Sequence, residues 1–519
     1  PMELYHNQVT RMQGPFSLRM FHRSWGLMLL RENISVPSAL LDFPTRDRFI
    51  QELQTTSYDV FAISAIPPNV LKVEEMCRLI RRHQPLAEII VGGHISGMPG
   101  IKERLGADHI VRGDGVRWLR RFLGEDEEAP IRHPRILSGI GARTMGFPLN
   151  DRPGKQNQPG EIAATLIPSV GCPMGCNFCA TSAAFGGKGR FINFYETGDE
   201  LFEVMEGIER DMCVQSFFVM DENFLVHRKR ALRLLELMKA RGKSWSLYVF
   251  SSANALTSYS MEQLVALGIS WVWMGLEGKS SRYHKLKGSD TKALVRKLQS
   301  HGISVLGSTI IGLEEHTPEN MDEAIEYAVS HDTEFHQFML YTPVPGTPLY
   351  EEHRKAGTLT DPECREAADA HGQLKFFHRH PHIPAGMETG FLHKGFQRDF
   401  ELNGPSIVRM ARTALRGWKR YGRIGDARIR ARFQREASTL PVQYAAALSA
   451  AKRWFRHKPA LRERIDATLH ELHQEFGIRS KLASALGGWY VFWKLSSEAR
   501  RLAGGATFEP PTFYEPMTC

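Results

Sequence analysis

The chain has 519 residues, enough for two or three domains rather than one. With 42% hydrophobic and 24% charged residues it reads as an ordinary globular protein, neither disordered nor fibrous. The formal net charge of +9 leaves a nucleic acid, an anionic membrane surface and an acidic substrate all open as partners.

The first thirty residues mix charges with scattered aromatics (Phe16, Phe21, Trp25) and show no period, and residues 1–10 lack the apolar core of a signal peptide. An alternation then begins. Strands are expected at 38–42, 58–64, 88–94 and 109–115, and helices at 46–53, 70–83, 101–105 and 116–123. Alternating strands and helices predict a parallel, doubly wound α/β unit. Ligands of such sheets sit at the carboxyl ends of the strands. Those ends carry Ser64, then Gly92, Gly93 and His94, then Gly113, Asp114 and Gly115. Spacing alone leaves two readings, a ligand cradle or ordinary strand-to-helix turns. Residues 125–160, rich in Pro, Gly and charge, read as a linker or a strap over the next domain.

The stretch 171–179, Gly-Cys-Pro-Met-Gly-Cys-Asn-Phe-Cys, is the most informative in the chain. Cys172, Cys176 and Cys179 can hold three irons of a [4Fe–4S] cube and leave the fourth open. A zinc site would want a fourth ligand, and the next cysteine, Cys213, stands well downstream. Gly171, Pro173 and Gly175 suit a tight loop around such a cluster. The other cysteines (77, 213, 364, 519) form no disulfide framework, and a cluster argues for a reducing, cytoplasmic setting.

Beyond 162 the alternation resumes at wider spacing. Strands are expected at 163–167, 216–220, 246–251, 271–276, 304–311 and 334–341, with helices at 198–210, 228–241, 261–267, 291–301 and 318–330. Six such units make an incomplete eight-fold barrel with its site at the carboxyl ends of the strands. The segment 185–191, with three glycines, Lys188 and Arg190, either meets an anionic group or forms a surface loop; the basic stretch 282–288 reads as solvent-exposed.

After about residue 358 the alternation stops. A helix is expected at 362–377. The histidines at 378, 380 and 382 lie among prolines and read as a solvated loop. Basic helices follow at 406–421, 426–436, 442–456, 461–476 and 481–501, and residues 504–519 read as loose. Most of this tail reads as a helical cap with aromatics inside. The run Gly487-Gly488-Trp489-Tyr490-Val491-Phe492-Trp493 makes peripheral membrane contact the second reading.

The three-cysteine spacing, with Phe178 just before the last cysteine, resembles the radical S-adenosylmethionine (radical SAM) enzymes. The strand ends Val91-Gly92-Gly93-His94 and Gly113-Asp114-Gly115 look like those of the cobalamin-binding domain that precedes many radical SAM cores. The usual proline before the histidine is absent, and Asp114 replaces a glutamate. The Asp-x-His-x-x-Gly motif is also missing, so cobalt would take no histidine from it. The resemblance covers 163–350 most closely and 38–123 less so. It implies an N-terminal Rossmann-like, doubly wound cobalamin-binding domain over 1–124 and a linker over 125–160. A partial (β/α)6 TIM-type barrel would follow over 161–357, then a mostly helical domain over 358–519.

The same resemblance implies site residues. Cys172, Cys176 and Cys179 would ligate the cluster. Phe178, Asp221, Glu222, Asn223, Glu277 and Gly312 would contact SAM. Ser64, Gly92, Gly93, His94, Gly113 and Gly115 would contact cobalamin. It implies cleavage of SAM to a 5′-deoxyadenosyl radical and, in the methylase branch, methylation of an unactivated carbon of a small molecule or lipid by way of cobalamin. Flavodoxin or ferredoxin would supply electrons. Ring closure, oxidation or carbon–carbon coupling on the same cofactors is the alternative. A tRNA-modifying role ranks below both, because a second upstream cysteine trio and a terminal RNA-binding barrel are not visible.

Overall fold

The structure is a computed structural model that describes residues 13–16, 23–138, 163–277, 290–361, 375–505 and 513–517. Cys364, Cys519, the basic stretch 282–288, the linker beyond residue 138 and most of the helix expected at 362–377 lie outside these residues.

The N-terminal unit is a three-stranded parallel sheet of β2 (Val60–Ser64), β3 (Glu88–Gly92) and β4 (His109–Ile110), in that order. Helices Arg46–Thr55, Val70–His83 and Ile101–Leu105 share one apolar core with the sheet, around Ile80, Ile89 and Val91. Helix Gly115–Phe122 covers Ile90 and Val111 from the other face, together with Leu30 of an earlier helix, Trp25–Glu32.

The strand expected at 38–42 forms only as β1 (Leu40–Asp42), and it does not join the parallel sheet. It pairs antiparallel with β13 (Phe513–Glu515) at the far end of the chain. The expectation of a loose C-terminus is therefore wrong for these residues. Ionic contacts hold them: Glu515 pairs with Arg23 at 2.5 Å and also with Arg31, and the Arg48 guanidinium lies 4.4 Å over the Tyr514 ring.

The second unit is a six-stranded, all-parallel sheet. In chain order its strands are β5 (Ala164–Leu166), β8 (Ser216–Val219), β9 (Ser246–Ser251), β10 (Ile269–Gly275), β11 (Ser304–Ile311) and β12 (Phe335–Leu340), and they pair in that sequence. Side chains alternate in direction along each strand. Leu247, Val249, Val272 and Met274 pack outward with the helices, in the largest core of the molecule. Trp271 and Trp273, one residue out of phase, pack instead with Leu306 and Phe335. Two short strands, β6 (Ser169–Val170) and β7 (Ile192–Asn193), pair beside the cysteine loop.

The described part of the 125–160 segment behaves as a strap. Leu137 bridges Ala164 antiparallel, Ser138 N–H donates to Ala163 O at 2.8 Å, and Ile167 N–H donates to His133 Nε2 at 2.9 Å. The strap covers β5, which would otherwise be an open sheet edge.

The C-terminal helices run Glu388–Asn403, Ser406–Tyr421, Ala427–Glu436, Ala445–Trp454, Pro459–Leu482 and Gly488–Ala503. Helix Glu388–Asn403 packs along β12 through Leu392 and Phe396, and the helices after it meet the barrel at the starts of its strands. Arg432 donates to Ile269 O, Glu436 accepts from Ser246, and Thr413 donates to Glu334, which precedes β12. Arg409, fully buried, donates to both oxygens of Asp399 and to Thr333 O. These contacts plug the floor of the barrel and leave its mouth to other elements. A buried charge that loses its partner is heavily penalised, so Asp399→Ala should cost about 3–5 kcal/mol. A lower denaturant midpoint for the first unfolding transition is the check.

Candidate active site

The mouth of the barrel is built on the cysteine loop that follows β6. Gly171 and Gly175 take φ of +88° and +68°, a region that side chains with a Cβ avoid. At Gly175 space decides as well, because a Cβ there would lie 2.4 Å from Lys188 Cβ. Lys188 belongs to the 185–191 segment, which folds back over the loop. Gly189 N–H donates to Pro173 O and Gly187 N–H to Ser182 O, each at 2.8 Å. The sequence suggests an anion-binding segment or a surface loop; in the structure the segment clamps the cysteine loop.

Cys172, Cys176 and Cys179 are half-buried. Cys179 caps the helix Ala180–Ala184, and its thiol accepts from Ser182 N–H at 3.5 Å. Ser182 Oγ in turn donates to Cys172 O at 2.9 Å. Burial pushes the Cys172 thiol up to about 11 and raises Cys179 too; the nearby Glu222 carboxylate adds to both. Cationic irons would reverse that bias, since a coordinated thiol loses its proton outright. Among the described residues no three His, Cys, Asp or Glu converge on a single ion. One thiolate for each of three irons is an arrangement that the three cysteines would suit.

The predicted SAM residues separate into distinct roles. Asp221 is fully occupied: Arg230 pairs with it at 2.5 Å, Ser169 Oγ donates to it at 2.7 Å, and it accepts from Asn223 N–H at 3.1 Å. Asn223 ties its loop to the end of β9 through Ser251 and Ser252. Both residues shape the loop after β8. Glu222 between them makes no hydrogen bond among the described residues. Burial and the Asp221 charge push its carboxyl up to about 7. Glu277, at the end of β10, is buried and takes φ of +47°. Such backbone in a residue other than glycine costs about 1–3 kcal/mol and clusters at functional sites.

Gly312 is placed differently from expectation. Its open face is filled by Phe376, whose ring would lie 2.3 Å from a Cβ there. Its N–H donates to His316 Nδ1 at 3.0 Å. Phe178 packs edge-on against Tyr341, ring centroids 6.1 Å apart, and Leu349 N–H donates to Asn177 O at 3.0 Å. The segment after β12 thus pins the cysteine loop from a further side.

The strand ends of the N-terminal sheet face the same loop. Ser64, Gly92, Gly93, His94, Gly113 and Gly115 all line one apolar cleft. A Cβ at Gly93 would lie 2.5 Å from Ala65 O, and Gly93 and Gly113 both have positive φ. Glycine backbone therefore forms part of the cleft lining, beside the side chains of Ile63, Ile90 and Val111. Asp114 accepts from the N–H groups of Val116 and Arg117, so it caps the following helix. His94, kept neutral by burial, lies with Nε2 3.5 Å from Thr181 Oγ1 of the cysteine-capped helix. The opposite wall comes from Val170, Ala184, Phe185, Ile192 and Phe194, next to the cysteines.

Sequence reading missed the third wall. Gly26, Leu27 and Leu30 of helix Trp25–Glu32 line the cleft, and Trp25 reaches Phe218 in the barrel at 5.7 Å. The apolar run 25–30 was the available signal, hidden by the irregular residues before it.

An incomplete parallel barrel with three thiols at its mouth is a site that an iron–sulfur cluster would fit. The model of the Radical SAM superfamily matches residues 166–328 of the chain. Its cofactors are a [4Fe–4S] cluster and SAM. The chain is 22% identical over 321 residues to an uncharacterised methyltransferase of Pyrococcus horikoshii, covering 56% of this chain and 69% of that one. It is 26% identical over 345 residues to hopanoid C-2 methylase of Rhodopseudomonas palustris, covering 62% and 63%. It is 24% identical over 352 residues to the anaerobic magnesium-protoporphyrin IX monomethyl ester cyclase of Cereibacter sphaeroides, covering 61% and 56%. The chain thus spans between about half and two thirds of the length of these relatives.

Gly175→Ala should eject Lys188 from the loop and lower bound iron and sulfide well below the wild-type level, with a lower Tm from the clash and the strained φ. Elemental analysis of anaerobically purified protein, beside a melting curve, measures both.

Proposed function

We propose that the protein is a cobalamin-dependent radical SAM methyltransferase acting on a carbon of a hydrophobic small molecule. The observation that carries this reading is the position of the glycine-rich apolar cleft. It lies one short helix from the cysteine loop, and Ala184 and Phe185 serve as its wall. Apolar walls with glycine backbone among them suit a broad planar macrocycle such as a corrin. His94, Gly93 and Gly113 would lie against it.

Cys172, Cys176 and Cys179 are proposed as the cluster ligands. When bound, the cluster supplies the electron that cleaves SAM to a 5′-deoxyadenosyl radical. The chain's own part is to bind, orient and neutralise. Glu222 is suited to the SAM ammonium, because a cation beside it restores the charge that burial suppresses. Asp221 cannot take that role while Arg230, Ser169 and the Asn223 amide occupy it. Glu277 and the ends of β11 and β12 would line the rest of the SAM site. Phe218, Phe250 and Trp273 form a continuous aromatic surface, with Phe250 stacked on Trp273 at 4.9 Å. That surface favours an apolar substrate, in keeping with the hopanoid and porphyrin relatives. The cyclase relative sustains a second reading, radical ring closure without methyl transfer.

The test is anaerobic purification with iron, sulfide and hydroxocobalamin, followed by corrinoid extraction. Wild type should carry about one corrinoid per chain, the ratio for a single cleft. Gly93→Ala should lose most of it and keep the cluster, whereas Cys176→Ala should lose the cluster. A cluster-replete wild type without corrinoid would sink the methyltransferase reading and leave ring closure. Separately, Glu222→Gln should weaken SAM binding by about tenfold, the loss of one charge-assisted contact. Equilibrium binding of labelled SAM measures it, with unchanged iron content as the control.

A further inference from the structure

Beyond Gly477 the end of helix Pro459–Leu482, the π-helical turn Ala483–Gly487 and helix Gly488–Ala503 run on as one helical segment, inverted relative to an ordinary packed helix. Its inner face is made of small residues. Ser480, Ser484 and Gly488 are buried, with Val491 and Leu495 following. Ser449 Oγ donates to Ser484 O at 2.7 Å, and a Cβ at Gly488 would lie 2.5 Å from Ser449 Oγ. The large apolar side chains point the other way. Ile478, Leu482, Leu486, Trp489, Tyr490 and Trp493 are each between 45% and 75% exposed.

The spacing of Ile478, Leu482, Leu486, Trp489 and Trp493 is four, four, three and four, so they form one stripe along a helical surface. The stripe begins where the backbone breaks at Gly477, with φ of +57°. If the helix served only to complete the domain core, these side chains would belong inside. Apolar surface of this kind marks an interaction site.

The charges around it are of one sign. Between Ile478 and Ser497 stand Arg479, Lys481 and Lys494, with no acidic residue. Arg453 lies 4.5 Å over the Trp489 ring, and Lys494 lies within 6 Å of both the Tyr490 and Trp493 rings. Exposed Arg456 and Lys458 follow the neighbouring helix Ala445–Trp454. Trp and Tyr favour the boundary between hydrocarbon and water, where an apolar ring can carry a polar tip. No helix among the described residues is long and apolar enough to cross a membrane.

We infer that the 478–497 surface docks the protein in-plane on an anionic lipid bilayer, with Leu486, Trp489 and Trp493 entering the interface and the flanking cations meeting lipid phosphates. The surface lies on the helical domain that plugs the barrel floor. Docking therefore leaves the cysteine loop and the apolar cleft clear of the contact, and the surface does not depend on which reaction the mouth performs.

The experiment is co-sedimentation of the anaerobically purified full chain, cluster loaded, with vesicles of about one third phosphatidylglycerol in phosphatidylcholine. Binding should be strong at low salt and fall as salt is raised. The double variant Trp489→Ser, Trp493→Ser should bind about tenfold more weakly or worse, because two interfacial anchors are lost. Arg479→Glu with Lys481→Glu should act in the same direction on a separate part of the surface. Circular dichroism and iron content should match wild type in all variants, since every substituted side chain is exposed. Absence of wild-type binding to these vesicles would overturn the inference, as would unchanged binding by both double variants. So would light scattering showing a wild-type dimer that the Trp489→Ser, Trp493→Ser variant converts to a monomer, which would assign the stripe to a second copy of this chain.

Discussion

The site depends on a loop that cannot hold its own shape. Between Gly171 and Cys179 the backbone makes little regular structure, and three half-buried thiols with like charges to come would drive it apart. Its neighbours hold it from several sides. The 185–191 segment clamps it through Pro173 and Lys188. The segment after β12 pins it through Asn177 and Phe178. Ser182 ties the capped helix back to Cys172, and His94 brings the N-terminal sheet against the same helix. Each support uses a hydrogen bond or a close approach that only a small residue permits. A ligand site held in this way is preorganised before any metal arrives.

Charge is arranged with the same economy. Three consecutive residues after β8 carry polar side chains, yet two of them are consumed in building the loop. Asp221 is neutralised by Arg230, and Asn223 is spent on two serines of the next strand. A buried carboxylate survives only with such partners. Glu222 lacks them and so remains protonated more readily, which leaves one acidic group available to a cationic ligand. Position in the loop, rather than residue type, decides which acid is structural and which is available.

Much of this was legible in the sequence because the barrel strands are buried on both sides and read as plain apolar runs. β9 and β11 fall on their expected limits, and the remaining barrel strands differ by one or two residues at an end. The tail helix Ser406–Tyr421 is likewise where its apolar period places it. What was illegible depends on partners distant in the chain. β1 reads as a member of the parallel sheet until β13 claims it from the opposite terminus. Gly312 reads as a cofactor-facing glycine until Phe376 fills its open side. Helix Trp25–Glu32 is short and follows an irregular stretch, and its contribution to the cleft appears only once two domains meet. Local pattern carries element type; it does not carry which face a neighbour will cover.

The two ends of the barrel thereby acquire separate duties. At the floor, buried Arg409 donates to Thr333 O, buried Arg432 donates to Ile269 O and buried Glu334 accepts from Thr413, all across the domain boundary. At the mouth, the contacts on the cysteine loop are glycine-mediated approaches and single hydrogen bonds, and one buried ion pair, Asp221 with Arg230, fixes the loop after β8. A barrel braced at the floor can keep its mouth open without losing its strand register. It can also carry an outward apolar helix on the bracing domain, because nothing at the mouth has to move for that helix to find a surface. Chemistry and location are then set by different residues, and substitutions at one end are free to change without disturbing the other.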